Sequence, residues 1–140
     1  MKMMLKKSKG FTLVELLIVI IIIGILAGMM MLSTGGATAK AEATKLASDM
    51  RNMKAAGIMV YADTYAWPTD VASLDEYLDQ DVDSTKYSIV SDCIKLTPPS
   101  TMDPKILVNL GILANKGDLV LYSDETHKYI GSGVGYMPFY

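Results

Sequence analysis

The sequence predicts an α+β protein in which a long N-terminal helix, transmembrane in its first half, packs against a small antiparallel β-sheet. Three observations carry this prediction. Residues 11–32 form an almost unbroken apolar run, residues 37–64 repeat apolar side chains at helical spacing, and the remainder alternates short β-type segments with turn residues. At 140 residues the chain has room for one small soluble domain beside the apolar segment.

Charge is distributed unevenly along the chain. The whole sequence carries 13 basic and 15 acidic side chains, a formal net charge of −2. Four of the basic side chains are the lysines of the first ten residues, so removal of that segment leaves nine basic against 15 acidic side chains, or −6. An acidic mature protein argues against nucleic acid as a partner, because phosphate binding requires a basic face.

The apolar run contains one carboxylate, Glu15. The run is about 22 residues long, enough to cross a bilayer as a helix. The lysines before it predict a cytoplasmic N-terminus and an outward-facing remainder. An unpaired acid in a membrane helix is costly. A cut after Gly10 would supply a counter-ion, the new amine of Phe11.

Two other interpretations of the N-terminus remain open. A plain signal anchor accounts for the length and the orientation but not for Glu15. A secretory signal peptide could be cleaved after Ala39, in the small-residue segment before Lys40. Its apolar core would then exceed the usual length of roughly 7–15 residues and would contain an acid.

The segment Lys-Gly followed by Phe-Thr-Leu-Val-Glu resembles the N-terminus of type IV pilins and of the pseudopilins of type II secretion. The match covers residues 9–27 and is specific in its Gly-Phe-Thr-Leu-x-Glu core. The resemblance implies that a prepilin peptidase on the cytoplasmic side cuts between Gly10 and Phe11. It also implies N-methylation of Phe11 and identifies Glu15 with the family's buried glutamate.

The resemblance implies three parts: a leader in residues 1–10, a transmembrane and assembly helix in residues 11–36, and an extracytoplasmic head in residues 37–140 that includes the rest of the long helix. The implied function is a structural subunit of a type IV pilus-like filament. A pseudopilin of a type II secretion system and a membrane-anchored extracytoplasmic binding module are the alternatives.

The implied partners are copies of the chain in a helical filament, a prepilin peptidase, an assembly platform with its ATPase, and membrane lipid before assembly. The subunit is expected as a single-pass protein of the cytoplasmic membrane before assembly. After assembly it is expected in a cell-surface pilus or a periplasmic pseudopilus.

Physical chemistry supports an assembly role for three helix residues. The Phe11 amine and Glu15 are each less costly paired than alone. Identical helices staggered by four residues, about 6 Å, would bring each amine to a neighbour's Glu15. Gly24 and Gly28 form a small-xxx-small pair that lets helix backbones approach closely. Alternatively, Glu15 is protonated or snorkels to the interface, and the glycines are simply common in membrane helices.

One apolar stripe predicts how the second half of the helix packs. It consists of Leu46, Met50, Met53, Gly57 and Val60. We expect one helix from residue 11 to about residue 62, bent or loosened at glycines 35 and 36, and we expect any unwinding on assembly within residues 33–37. Two helices hinged at the adjacent glycines 35 and 36 are the alternative.

Shorter elements are predicted in the rest of the head. They are a helix over residues 74–78 capped by Ser73, strands 86–90 and 93–96 around a turn at residues 91–92, a helix from Asp103 to Ala114, and a hairpin of residues 118–122 and 127–130 with its turn at residues 124–125. The sheet is expected to have three or four strands. Tyr61, Tyr65 and Trp67 are expected to anchor it on the helix.

The inventory of reactive side chains does not predict an enzyme. His127 and Cys93 each occur once and stand in no local catalytic motif. No Cys and His spacing typical of a metal site is present. A single cysteine cannot form an intramolecular disulfide, so we expect Cys93 to be a small buried apolar side chain, with an intermolecular bridge or a reactive thiol as the alternative. We therefore expect no cofactor.

The acidic segment of residues 79–83 resembles the first half of a calcium-binding loop. It lacks the glycine at the sixth position, where Ser84 stands, and the glutamate at the twelfth, where Val90 stands. We interpret the segment as a solvated acidic turn and expect no metal site.

Overall fold

The computed structural model describes residues 10–124 and 126–140, with side chains at all of these except residues 32–34. The predicted leader, apart from Gly10, and Glu125 of the predicted hairpin turn lie outside the described residues. The chain divides into two compact units, one ending at Gly35 and one spanning Gly36–Tyr140. The second unit is called the head below.

The longest element is α1, an α-helix over Leu13–Thr64. It begins two residues later than predicted, because Thr12 caps it. It ends where Tyr65 adopts a positive φ of 57°, shortly before Pro68. The backbone is helical at both Gly35 and Gly36. The structure therefore has one helical element here rather than two, because the i to i+4 hydrogen bonds outweigh the low helix propensity of glycine.

The first half of α1 exposes its apolar side chains. Between Leu13 and Met31, the described leucines, isoleucines, valines and methionines are 48–84% exposed. By length and composition this helix can cross a membrane. An uncovered apolar surface of this kind suits lipid or other apolar helices as its surroundings.

The head combines short helices with a three-stranded antiparallel sheet of order β1-β2-β3. In chain order its elements are a 3₁₀ helix over Ala72–Tyr77, β1 over Tyr87–Val90, β2 over Cys93–Leu96, α2 over Pro104–Asn115 and β3 over Gly135–Pro138. This confirms the α+β prediction, the β1–β2 hairpin and α2. Asp103 caps α2 by accepting a hydrogen bond from the Lys105 amide at 2.9 Å.

Two predicted elements differ in the structure. The predicted hairpin of residues 118–122 and 127–130 is reduced to isolated bridges at Tyr122, and the third strand is β3 instead. Ser73 does not cap the 3₁₀ helix. The Asp70 carboxylate accepts a hydrogen bond from the Ser73 amide at 2.8 Å, and the helix starts at Ala72.

The head core lies between α1 and the inner face of the sheet. The whole predicted stripe of α1 is buried, from Leu46 to Val60. Gly57 is required for the packing, since a Cβ there would lie 2.3 Å from Cε1 of Phe139. Phe139 stacks on Trp67 at 5.5 Å.

The aromatic anchor is confirmed for two of its three predicted residues. Trp67 also stacks on Tyr61, with ring centroids 4.4 Å apart. It thereby joins the helix to the segment that follows β3. Tyr65 is 84% exposed and takes no part in this stack.

Candidate assembly site at the start of the helix

The start of α1 is closed by a reciprocal cap between Thr12 and Glu15. The Thr12 amide donates to Oε2 of Glu15 at 2.8 Å, and the Thr12 hydroxyl donates to the same oxygen at 3.0 Å. The Glu15 amide in turn donates to Oγ1 of Thr12 at 3.2 Å. Thr12 is therefore the N-cap residue and Glu15 the third residue of the helix, the arrangement of a capping box.

This cap corrects the sequence-based view of Glu15 as an unpaired acid. Its carboxylate already accepts two hydrogen bonds from Thr12 and lies in the first helical turn, where the helix dipole favours negative charge. An ionised carboxylate offers about four acceptor positions. Two donors from Thr12 therefore leave Glu15 able to bind a further cation without giving up its cap.

Thr12 is the residue of this candidate site that the sequence analysis missed. The signal was present, because Thr-x-x-Glu at the edge of an apolar run is the pattern of a capping box.

The peptide bond between Gly10 and Phe11 lies outside the helix. Both residues have irregular backbone, and the Phe11 side chain is 93% exposed. Exposed, non-helical chain is the preferred substrate of proteolysis. A cut at this bond would convert the Phe11 amide nitrogen into an amine next to the Thr12–Glu15 cap.

Gly24 and Gly28 lie on one face of α1 in open space. A Cβ at either position would meet nothing within 4 Å among the described residues. At about 100° per residue, the nine residues from Glu15 to Gly24 correspond to a half turn beyond two full turns. The glycines and Glu15 therefore lie on nearly opposite sides of the helix and do not form one cluster.

The reactive side chains of the head lie apart from this helix start. Nδ1 of His127 lies 2.8 Å from Oδ1 of Asp124, and both side chains are exposed. Cys93 is half-buried, not fully buried as predicted, because it lies on the outer face of β2 opposite Pro138. Within residues 10–124 and 126–140, no three Asp, Glu, His or Cys side chains are grouped as a metal site would require.

The acidic residues of segment 79–83, which resembled half a calcium loop, have two different surroundings. Asp83 accepts hydrogen bonds from Thr85 and pairs with Lys86 at 3.2 Å. The Thr85 bonds, and then the Lys86 bond, lower the pKa of Asp83. Asp79 and Asp81 line a groove beside α1.

Comparison with known proteins points to the same N-terminal segment. Residues 5–31 match the family model described as the prokaryotic N-terminal methylation motif. This range contains the candidate residues Gly10, Phe11, Glu15, Gly24 and Gly28.

Curated relatives are similar over a longer stretch. The chain is 34% identical over 73 residues to type II secretion system core protein G of Escherichia coli K12, covering 52% of this chain and 50% of that protein. The Klebsiella pneumoniae protein of the same name is 34% identical over 65 residues, covering 46% of each chain. The Aeromonas hydrophila protein is 36% identical over 70 residues, covering 50% of this chain and 49% of that protein.

The matched segments span about half the length of these curated relatives. No solved structure matches the chain.

Proposed function

We propose that this chain, a member of the type IV pilin-like family, is a structural subunit of a filament and assembles through the helix of residues 11–36. One observation carries the proposal. The first half of α1 exposes its apolar side chains and is long enough to cross a bilayer. Its first turn holds Glu15 in the Thr12 cap, inside the residues 5–31 that match the methylation motif. In the membrane, lipid covers this surface. In a filament, identical helices replace the lipid.

The proposed pathway begins with a cut between Gly10 and Phe11 by a prepilin peptidase, followed by methylation of the new amine. The amine is then a cation at the edge of an apolar helix. Incoming subunits pack with a stagger of about one turn, so the amine of one subunit meets Glu15 of its neighbour. The pair sets the register between subunits, while the apolar helix supplies most of the contact area.

Thr12 has a defined part in this pathway. It holds the Glu15 carboxylate at the helix start before assembly, so that the rotamer is ordered before the neighbour's amine arrives. An acceptor that is already ordered loses less conformational entropy when it binds. Gly24 and Gly28, on nearly the opposite side, would accept the backbone of a different neighbour.

A pseudopilin of a type II secretion system is the second candidate. The curated relatives favour it, because each is named as a core protein of that system. A pilin and a pseudopilin would use the same residues at the helix start. The partners proposed for either are further copies of the chain, the prepilin peptidase, and an assembly platform with its ATPase.

The test is to replace Glu15 in cells that carry a matching assembly machinery. Glu15→Gln and Glu15→Ala should still insert in the membrane and lose the leader, but filaments should fall at least about tenfold, since the charge pair is lost. Glu76→Gln, an exposed acid of the head, serves as the matched control and should assemble normally. Normal filaments from both Glu15 variants would remove this residue from the mechanism.

A further inference from the structure

The head carries a groove beside the second half of α1. It has a volume of about 650 Å³ and lies between α1 and the segment that joins the 3₁₀ helix to β1. Its floor is apolar and is formed in part by Leu46, Ala56, Met59 and Met102. Met59 is 51% exposed and adds apolar surface to the groove.

The sides of the groove are acidic. Five carboxylate side chains and two lysines line it, an excess of three negative charges. The Lys86–Asp83 ion pair removes one charge of each sign. The remaining acids are Glu42 and Asp49 on the helix side and Asp79 and Asp81 on the opposite side.

The outer face of the sheet carries the opposite charge. Lys95 of β2 is paired in register with Tyr136 of β3, Tyr136 with Tyr122, and Tyr122 with Lys128. These four residues form one row across the strands and are called the Lys-Tyr row below. Successive strands are about 4.8 Å apart, so the two lysines lie about 14 Å from each other at the backbone.

The Lys-Tyr row faces away from the core. Its members are half-buried or exposed, whereas their strand neighbours Ile94, Leu96 and Met137 are buried. Tyrosine offers apolar area together with a hydroxyl and is enriched at protein interfaces. Two tyrosines between two lysines therefore suit a partner that has an apolar floor and acidic sides.

We propose that the groove of one head binds the Lys-Tyr row of a second copy of this chain. The inference rests on the proposed filament function and names a contact between heads in addition to the helix contact. Charge complementarity selects the occupant, since the groove has an excess of three negative charges and the row carries two lysines. Two grooves would repel each other, which disfavours a symmetric groove-to-groove dimer.

The two surfaces are different patches of one molecule. A contact between different patches is heterologous, so each added copy leaves one free groove and one free row. Such contacts extend into open helical assemblies unless the rotation closes a ring. Once the leader is removed, each subunit is acidic as a whole, so subunits repel one another. The proposed contact sets opposite charges against each other locally.

Cysteine cross-linking in filaments tests the contact directly. In a Cys93→Ser background, Asp81→Cys and Lys128→Cys are combined in one chain, and filaments are oxidised and separated without reductant. We expect a ladder of covalent multimers. Asp81→Cys with Lys116→Cys, an exposed lysine just after α2, is the matched control and should give none. Intact filaments that give no ladder from the first pair, or equal ladders from both pairs, overturn the inference.

Charge exchange supplies a second test, which still gives a result if a cysteine variant fails to fold or assemble. Lys95→Glu with Lys128→Glu should lower filament yield at least about tenfold, and adding Asp79→Lys with Asp81→Lys should restore it to within about threefold. No effect of the first pair, or no recovery on adding the second, contradicts the contact and points to another occupant of the groove. If the unmodified chain forms no filaments beside a matching machinery, the filament proposal itself fails.

Discussion

At the scale of single residues, Thr12 and Glu15 show how one short motif serves two purposes. The same carboxylate that caps the helix is the acceptor proposed for a neighbour's amine. The cap satisfies donors that would otherwise be unpaired at the helix start, in a segment long and apolar enough to cross a membrane. Removing the Thr12 hydroxyl weakens the cap but keeps the charge of Glu15, so the two contributions can be measured separately.

Replacing Thr12 with valine removes the hydroxyl and keeps the shape of the side chain. An N-cap of this kind contributes about 0.5–2 kcal/mol, so hydrogen exchange of the Glu15 amide, which donates to the lost hydroxyl, should accelerate roughly 2- to 30-fold in detergent micelles. Thr12→Ser keeps the hydroxyl and should exchange like the unmodified chain. Unchanged exchange in Thr12→Val would show that the capping box contributes nothing to the helix start.

Gly57 is the residue on which the helix-to-sheet packing depends most closely. In Gly57→Ala the added Cβ would overlap Phe139, and we expect the head to lose about 1–3 kcal/mol of unfolding free energy. Gly36→Ala is the control, because its Cβ would meet nothing within 4 Å and alanine favours helix. Denaturant unfolding monitored by tryptophan fluorescence measures both. Equal stability of Gly57→Ala and the parent chain would contradict the packing described for Phe139.

Asp124 predicts how head stability depends on pH. Hydrogen bonds from the Thr126 amide, and then from the His127 side chain, hold the pKa of Asp124 well below its usual range. The unfolded value is about 3.9, so the stabilisation is fully present above that pH and is lost as pH falls towards the lower folded value. Asp124→Asn keeps an acceptor oxygen but does not titrate.

The expected result is that unfolding free energy falls more steeply below pH 4 in the parent chain than in Asp124→Asn. Asp83, whose pKa is also lowered, titrates in both proteins and does not affect the comparison. Chemical unfolding at a series of pH values between about 2 and 7 gives the two curves. Parallel curves would mean that the Asp124 hydrogen bonds do not distinguish the folded from the unfolded state.

At the scale of elements, the turn between β1 and β2 holds two non-glycine residues in a strained backbone conformation. Substitution of these two residues can relieve the strain. Ser91 and Asp92 have φ of 50° and 60°, the conformation of a two-residue hairpin turn that Asn-Gly adopts most readily. Ser91→Asn with Asp92→Gly should therefore raise the unfolding free energy by about 0.5–1 kcal/mol, as seen in the denaturation midpoint. A lower midpoint would argue against this turn geometry.

The sheet illustrates what the sequence could and could not predict. The β1–β2 hairpin has β-type residues around a two-residue turn, and both strands were predicted within one residue. β3 was missed because glycine at its start and Pro138 at its end both disfavour strand assignment. β3 lies at one end of the sheet order, where a proline can be accommodated. The order of the strands cannot be read from the local sequence pattern.

At the scale of the whole molecule, the candidate site was predictable to the extent that it is local. The candidate cleavage junction, Glu15 and the two glycines follow from a contiguous motif and from helical spacing. The groove and the Lys-Tyr row were not predictable. They depend on strand register and on how residues 77–87 pack beside α1, and these long-range pairings bring together residues far apart in sequence.

The account depends most directly on the chemical state of the N-terminus in the assembled protein. The decisive measurement is mass spectrometry of the N-terminal peptide from purified filaments or from the extracytoplasmic membrane fraction. Cleavage after Gly10 followed by methylation should give a peptide that begins at Phe11 with a methylated amine. A peptide that begins at Met1 or at Lys40 would contradict it, since the cation proposed to pair with Glu15 would then be absent.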